Sequence, residues 1–87
     1  MTVRDEVLAL AKEFEFTKRV LLYSNDRSIR LIRGAGEGTP MMWVYLTYDE
    51  SKIHSVVTAY YGTPIGDEQF LSPTLAAIRT WMKENAS

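Results

Sequence analysis

His54 is the only histidine in the 87-residue chain, and the chain contains no cysteine. An imidazole working as a general base needs an orienting partner and a nucleophile within reach. Thr47 is its expected neighbour across a hairpin, but no Ser-His-Asp spacing is readable around the pair. One imidazole without thiolates or a tight carboxylate cluster also offers too few convergent ligands for a metal ion. The carboxylates are scattered, with Glu13 and Glu15, Asp49 and Glu50, and Asp67 and Glu68 adjacent or nearly so. Such pairs suit solvated helix ends and turns, whereas glycosidase chemistry needs two carboxyls facing each other across a cleft. Gly34, Gly36 and Gly38 resemble a phosphate-cradling loop only in composition. A loop of that kind should open a helix and carry Gly-Lys-Ser/Thr or a full dinucleotide spacing. Here the glycines lead through Pro40 into Met41-Met42-Trp43-Val44, which reads as a strand, so a flexible β connection is expected. Enzymatic function is therefore the least expected class, with no cofactor and no metal.

The residue types left over are those of binding surfaces. Trp, Tyr and Arg dominate the energetics of protein interfaces, and Tyr23, Arg30, Trp43, Tyr45 and Tyr60 are the candidate partner-binding residues. The formal net charge of −1 is unevenly spread: Lys18, Arg19, Arg27, Arg30 and Arg33 against Asp26 give a local +4, and the other five basic and ten acidic residues give −5. A field of that kind steers an acidic partner toward one edge. Lys18, Arg19, Arg27 and Arg33 accordingly form a candidate basic patch. The bland alternative is that these arginines keep strand edges soluble and unpaired.

The elements that must position these residues follow from periodicity. A content of 46% apolar and 24% charged residues describes one compact domain spanning residues 1–87. Thr2 followed three residues later by Asp5 makes a capping-box start, and Val3, Val7, Leu10 and Phe14 share one helical face, so a helix is expected over 3–14. Ser72 before Pro73 is a second helix opening. With Leu75, Ile78 and Met82 as its stripe, that helix is expected over 73–84. Between them the period changes to two, with strands over 18–24, 28–33, 41–48 and 53–61 rich in β-branched and aromatic residues. The outcome is an α+β domain of order α-β-β-β-β-α, a four-stranded antiparallel meander with both helices on one face. That order resembles small secretion-chaperone-like binding folds, which present a sheet or helices to partners.

Strand register decides which residues share a face, since a slip of one residue exchanges the two. A two-residue loop at Asn25-Asp26 sets Leu22 opposite Ile29, Val20 opposite Leu31, Tyr23 opposite Ser28, Leu21 opposite Arg30 and Arg19 opposite Ile32. A two-residue loop at Glu50-Ser51 sets Val44 against Val57 and Met42 against Ala59 on the core side. It sets Thr47 against His54, Tyr45 against Val56, Trp43 against Thr58 and Met41 against Tyr60 on the other. Four strands about 4.8 Å apart are roughly 19 Å wide, and two helices of about 10 Å diameter cover that width once. The aromatic side is then left open.

A non-catalytic protein-interaction module follows, self-associating through that face, with a homodimer or another protein as partner. Such a domain suits a small accessory, inhibitory or viral-type protein. A single-stranded nucleic-acid binder is the second expectation, with tyrosines and Trp43 stacking bases and the arginines meeting phosphates. The net acidity and the lack of an RNP-like run weigh against it. No apolar run reaches the roughly 18 residues a membrane span needs, and charges interrupt Met1 to Glu6, so neither a span nor a signal peptide is expected. The cytoplasm is the default location.

Overall fold

The computed structural model describes residues 2–19, 27–64 and 66–86. Its elements in chain order are α1 (Val3–Glu13), β1 (Thr17–Lys18), β2 (Ser28–Ile32), β3 (Pro40–Leu46), β4 (Ile53–Tyr60), β5 (Gln69–Leu71) and α2 (Leu75–Glu84). The strands pair antiparallel in the order β1-β2-β3-β4-β5. This is the expected α+β meander with one strand more than the four anticipated. β5 is only three residues long, Gln69-Phe70-Leu71, and contains neither a β-branched residue nor enough length to show a period of two.

Helix α1 starts as its sequence requires. The Thr2 hydroxyl accepts from the Asp5 amide at 3.1 Å, and the Asp5 carboxylate accepts from the Thr2 amide at 3.3 Å. Those bonds to Thr2 hold the Asp5 carboxyl below its ordinary range. The far end closes as a Schellman turn: the Phe16 amide donates to the Ala11 carbonyl at 2.7 Å and the Glu15 amide to the Lys12 carbonyl at 3.3 Å. Glu15 takes the left-handed position, φ 62°, that glycine would occupy without strain. The turn buries Phe16 beneath the helices and reverses the chain into β1. Helix α2 begins two residues later than expected. Thr74, in extended conformation, is its cap and accepts from the Ala77 amide at 3.1 Å. Ser72 and Pro73 therefore lie ahead of the cap instead of serving as cap and first helical residue.

Both helices cover the same side of the sheet. Val7 and Ala11 of α1 and Ile78 and Met82 of α2 close over Ile29, Leu31, Met42, Val44 and Val56 in one cluster. All of these except Ala11 are completely withdrawn from solvent, and each large aliphatic side chain buried this way contributes about 1.5–3 kcal/mol. Arg79 of α2 meets Glu13 of α1 at 2.9 Å across the exposed surface of the helix pair.

The register differs from expectation in both hairpins. Thr17 stands opposite Ile32 and Lys18 opposite Leu31, so the expected pairing of Arg19 with Ile32 shifts by two residues and the faces are kept. The expected pairs involving residues 20–24, and most of the 18–24 strand, lie outside the described residues. The second hairpin shifts by one. Val44 pairs with Val56, Met42 with Thr58, Trp43 with Val57, Met41 with Ala59 and Pro40 with Tyr60. The turn is longer than two residues: the Thr47 amide donates to the Lys52 carbonyl at 3.0 Å, and the ladder is irregular where Leu46 faces Ile53 and Tyr45 faces Ser55. His54 is the extra residue of that bulge, and one extra residue turns all of β4 over. Val56 and Thr58 consequently face the helices, and Val57 and Ala59 face the open side, the reverse of the two-residue-loop expectation.

Candidate functional site

The meander places a straight row of side chains across the helix-free side of the sheet. Arg30 pairs with Trp43, Trp43 with Val57 and Val57 with Phe70. The row begins on the chain just past β1, where the Arg19 amide donates to the Arg30 carbonyl at 2.7 Å. Partners in an antiparallel ladder share a face, so Arg19, Arg30, Trp43, Val57 and Phe70 lie in one line from one sheet edge to the other. A parallel row holds Ile32, Met41 and Ala59, and a third holds Ser28, Tyr45 and Ser55. Each side chain is there because alternation sends its neighbours, Leu31, Met42, Val44 and Val56, into the core.

The chemistry changes along the row. At the β1–β2 end stand the guanidiniums of Arg19 and Arg30, the latter with its central carbon 5.5 Å from the centroid of the Trp43 ring. The middle is apolar, with Met41, Trp43 and Val57 each half-buried. At the far end Phe70 is 77% exposed, and Tyr45 on the adjoining row is 41% exposed. Just before β5, Asp67 and Glu68 are exposed, and the Glu68 carboxylate accepts from the Gly66 amide at 2.9 Å. A face that is basic along one edge, aromatic in the centre and acid-flanked at the other edge can recognise a surface with the same features in reverse.

The sequence-derived candidates do not all meet on this face. Arg30, Trp43 and Tyr45 do. Tyr60 does not: it alternates with Val56 and Thr58 on the helix side, its ring 6.4 Å from Trp81 and its hydroxyl donating to Asn85 Oδ1 at 2.7 Å. The one-residue shift of β4 is the reason. Tyr23 lies outside the described residues. Of the basic candidates, Arg19 flanks the open face, whereas Lys18 pairs with Leu31 and alternates to the other side at the edge. Arg33 is turned to the end of α1, donating from Nε to the Phe14 carbonyl at 3.0 Å and reaching Glu15 at 3.6 Å. Arg27 lies over the Tyr48 ring at 4.8 Å, at the end of the second hairpin.

Two contributors escaped the sequence reading. Val57 was hidden by the bulge at His54. Phe70 was an isolated aromatic between Gln69 and Leu71, and only pairing with Val57 reveals that it belongs to a strand. His54 itself is exposed, with Nδ1 3.3 Å from the Ser55 hydroxyl. Among the described residues no group of three or more His, Asp or Glu could hold a metal ion, and no helix is long and apolar enough to cross a membrane. The chain matches no family model, no curated protein and no solved structure.

Proposed function

We propose that this chain is a small non-catalytic interaction module that associates with a second copy of itself through the open face of its sheet. One observation carries the reading: the row Arg30, Trp43, Val57 and Phe70 lies on the side that neither helix covers. Contiguous apolar surface rimmed by polar residues is characteristic of docking sites, and a buried aromatic or arginine anchor is the usual source of affinity. Five strands about 4.8 Å apart, with about five residues each at about 3.4 Å, give a projected face of roughly 400 Å² per copy. Over both copies that is roughly 800 Å², below the roughly 1,200 Å² at which stable interfaces begin, so association through this face is weak and concentration-dependent.

Sedimentation equilibrium across a concentration range tests this directly. The wild-type chain is expected to exceed its monomer mass at high concentration, and Phe70→Asp to shift the transition at least tenfold upward while the fold is retained. A wild-type chain that stays monomeric throughout overturns the reading. A single-stranded nucleic acid is the second reading, favoured by the guanidinium of Arg30 beside Trp43 with Tyr45 and Phe70 exposed close by. The formal net charge of −1 weighs against it, because affinity for phosphate backbones rests on a basic surface. Titration of a labelled oligonucleotide at low and moderate salt separates the two, and no binding at low salt eliminates it.

A further inference from the structure

We infer that the two copies meet in one defined orientation, with a twofold axis parallel to the strands, so that Arg19 of one copy meets Phe70 and Glu68 of the other. This rests on the reading of the open face as the self-association surface and adds its geometry. Charge is arranged by column across the sheet. Arg19 and Arg30 occupy the first two columns, Trp43 the middle, Val57 the fourth and Phe70 the fifth. Glu68 directly precedes β5 and is exposed at the end of the fifth column, two residues along the chain from Phe70. The three ion pairs between described residues, Arg4 with Glu50, Arg33 with Glu15 and Arg79 with Glu13, leave out Arg19, Arg30, Asp67 and Glu68.

Two twofold axes lay such a sheet face to face on its own copy with the strands of both sheets aligned, one along the strands and one across them. An axis running across the strands returns every column to itself, so the Arg19 and Arg30 columns of the two copies overlie each other and four guanidiniums gather at one edge of a desolvated interface. Like-charge juxtaposition of this kind costs several kcal/mol. An axis running along the strands reverses the column order. Trp43 then meets Trp43 at the centre, Arg30 meets the apolar fourth column, and Arg19 reaches the ring of Phe70 and the carboxylate of Glu68 in the second copy. Each edge gains an opposite charge and a cation–π contact, and the contact occurs twice by symmetry. The strands of the two sheets then run close to parallel, offset by about 30° through their twist, the common arrangement of aligned sandwiches.

A charge exchange tests the orientation. Arg19 and Glu68 are both exposed, and neither supports the core. Arg19→Glu alone and Glu68→Arg alone are each expected to weaken self-association about tenfold in sedimentation equilibrium. An equimolar mixture of the two variants is expected to associate several-fold more tightly than either variant alone, because both like-charge contacts become ion pairs while one of the two Arg19–Phe70 contacts remains lost. If Arg19→Gln, which removes the charge without reversing it, strengthens association, the axis runs across the strands and the inference is overturned. It is equally overturned if both single variants associate like the wild type while Phe70→Asp still dissociates, which leaves the docking face intact. A wild-type chain that never associates removes the underlying reading as well, so the two failures are told apart.

Discussion

Arg30 and Trp43 stand directly opposite each other in the β2–β3 ladder, with the guanidinium carbon 5.5 Å from the ring centroid. The pair marks the boundary between the basic columns of the open face and its apolar centre. It also places the guanidinium charge of Arg30 beside the aromatic surface.

The contact is a cation over an indole on a half-buried sheet surface, a geometry associated with about 0.5–1 kcal/mol. A double-mutant cycle of Arg30→Met and Trp43→Leu, read by urea denaturation of dilute protein, is expected to return a coupling of that size. A coupling indistinguishable from zero would show the pair to be simple neighbours.

Glu15 is a non-glycine residue in the left-handed position that closes α1. An L-residue there costs roughly 1–2 kcal/mol relative to its right-handed form, while glycine gives back roughly 0.5–1 kcal/mol through its freer unfolded chain. Glu15→Gly is therefore expected to stabilise the domain by about 0.5–1 kcal/mol. Its ion pair with Arg33, at 3.6 Å on an exposed carboxylate, contributes little against this. Thermal and urea unfolding of the variant measure the change, and a loss of stability would mean that the Arg33 contact outweighs the backbone strain.

Asp49 organises the turn that sets the register of β4. Its Oδ1 accepts from the Ser51 hydroxyl at 2.7 Å, the Thr47 hydroxyl at 2.8 Å and the Ser51 amide at 3.1 Å. These bonds, led by that of the Ser51 side chain, lower its pKa from 3.8 to about 2. A carboxyl depressed in the folded state stabilises the fold above its unfolded pKa, and that contribution disappears as pH falls from about 4 to about 2. Asp49→Asn should flatten the decline in stability across this acid window and leave its slope near neutrality unchanged. An acid profile identical to wild type would show that the turn holds without the carboxylate.

The same turn explains what the sequence could and could not reveal. The helices, the meander and the buried Ile29, Leu31, Met42 and Val44 follow from periods of 3.6 and two, which need no knowledge of partners. The faces of β4 depend on loop length, and Tyr48-Asp49-Glu50-Ser51 does not announce its hydrogen-bond pattern in its composition. Asp49 binding both Thr47 and Ser51 makes a wider turn, and the bulge at His54 then moves Val57 outward and Tyr60 inward. Arg30, Trp43 and Tyr45 were legible because β2 and β3 pair without irregularity along Ser28 to Ile32. Phe70 was not, because a three-residue edge strand takes its conformation from the neighbour it pairs with.

The inversion of β4 separates two tyrosines that composition alone treats alike. Tyr45 lies on the open face and is 41% exposed, while Tyr60 is 43% exposed but faces the helices, bonded to Asn85 at 2.7 Å. Tyr45→Arg adds charge to the proposed interface without touching the core, so folding should change by no more than about 0.5 kcal/mol. Self-association should weaken at least about tenfold, as loss of an aromatic anchor does. Tyr60→Phe removes one hydrogen bond at the α2 end and should lower stability by about 0.5–1 kcal/mol while leaving the association constant unchanged. Sedimentation equilibrium paired with urea denaturation of both variants reads the two effects separately. The reverse pattern, with Tyr60→Phe weakening association and Tyr45→Arg sparing it, would move the docking surface to the helix-bearing side.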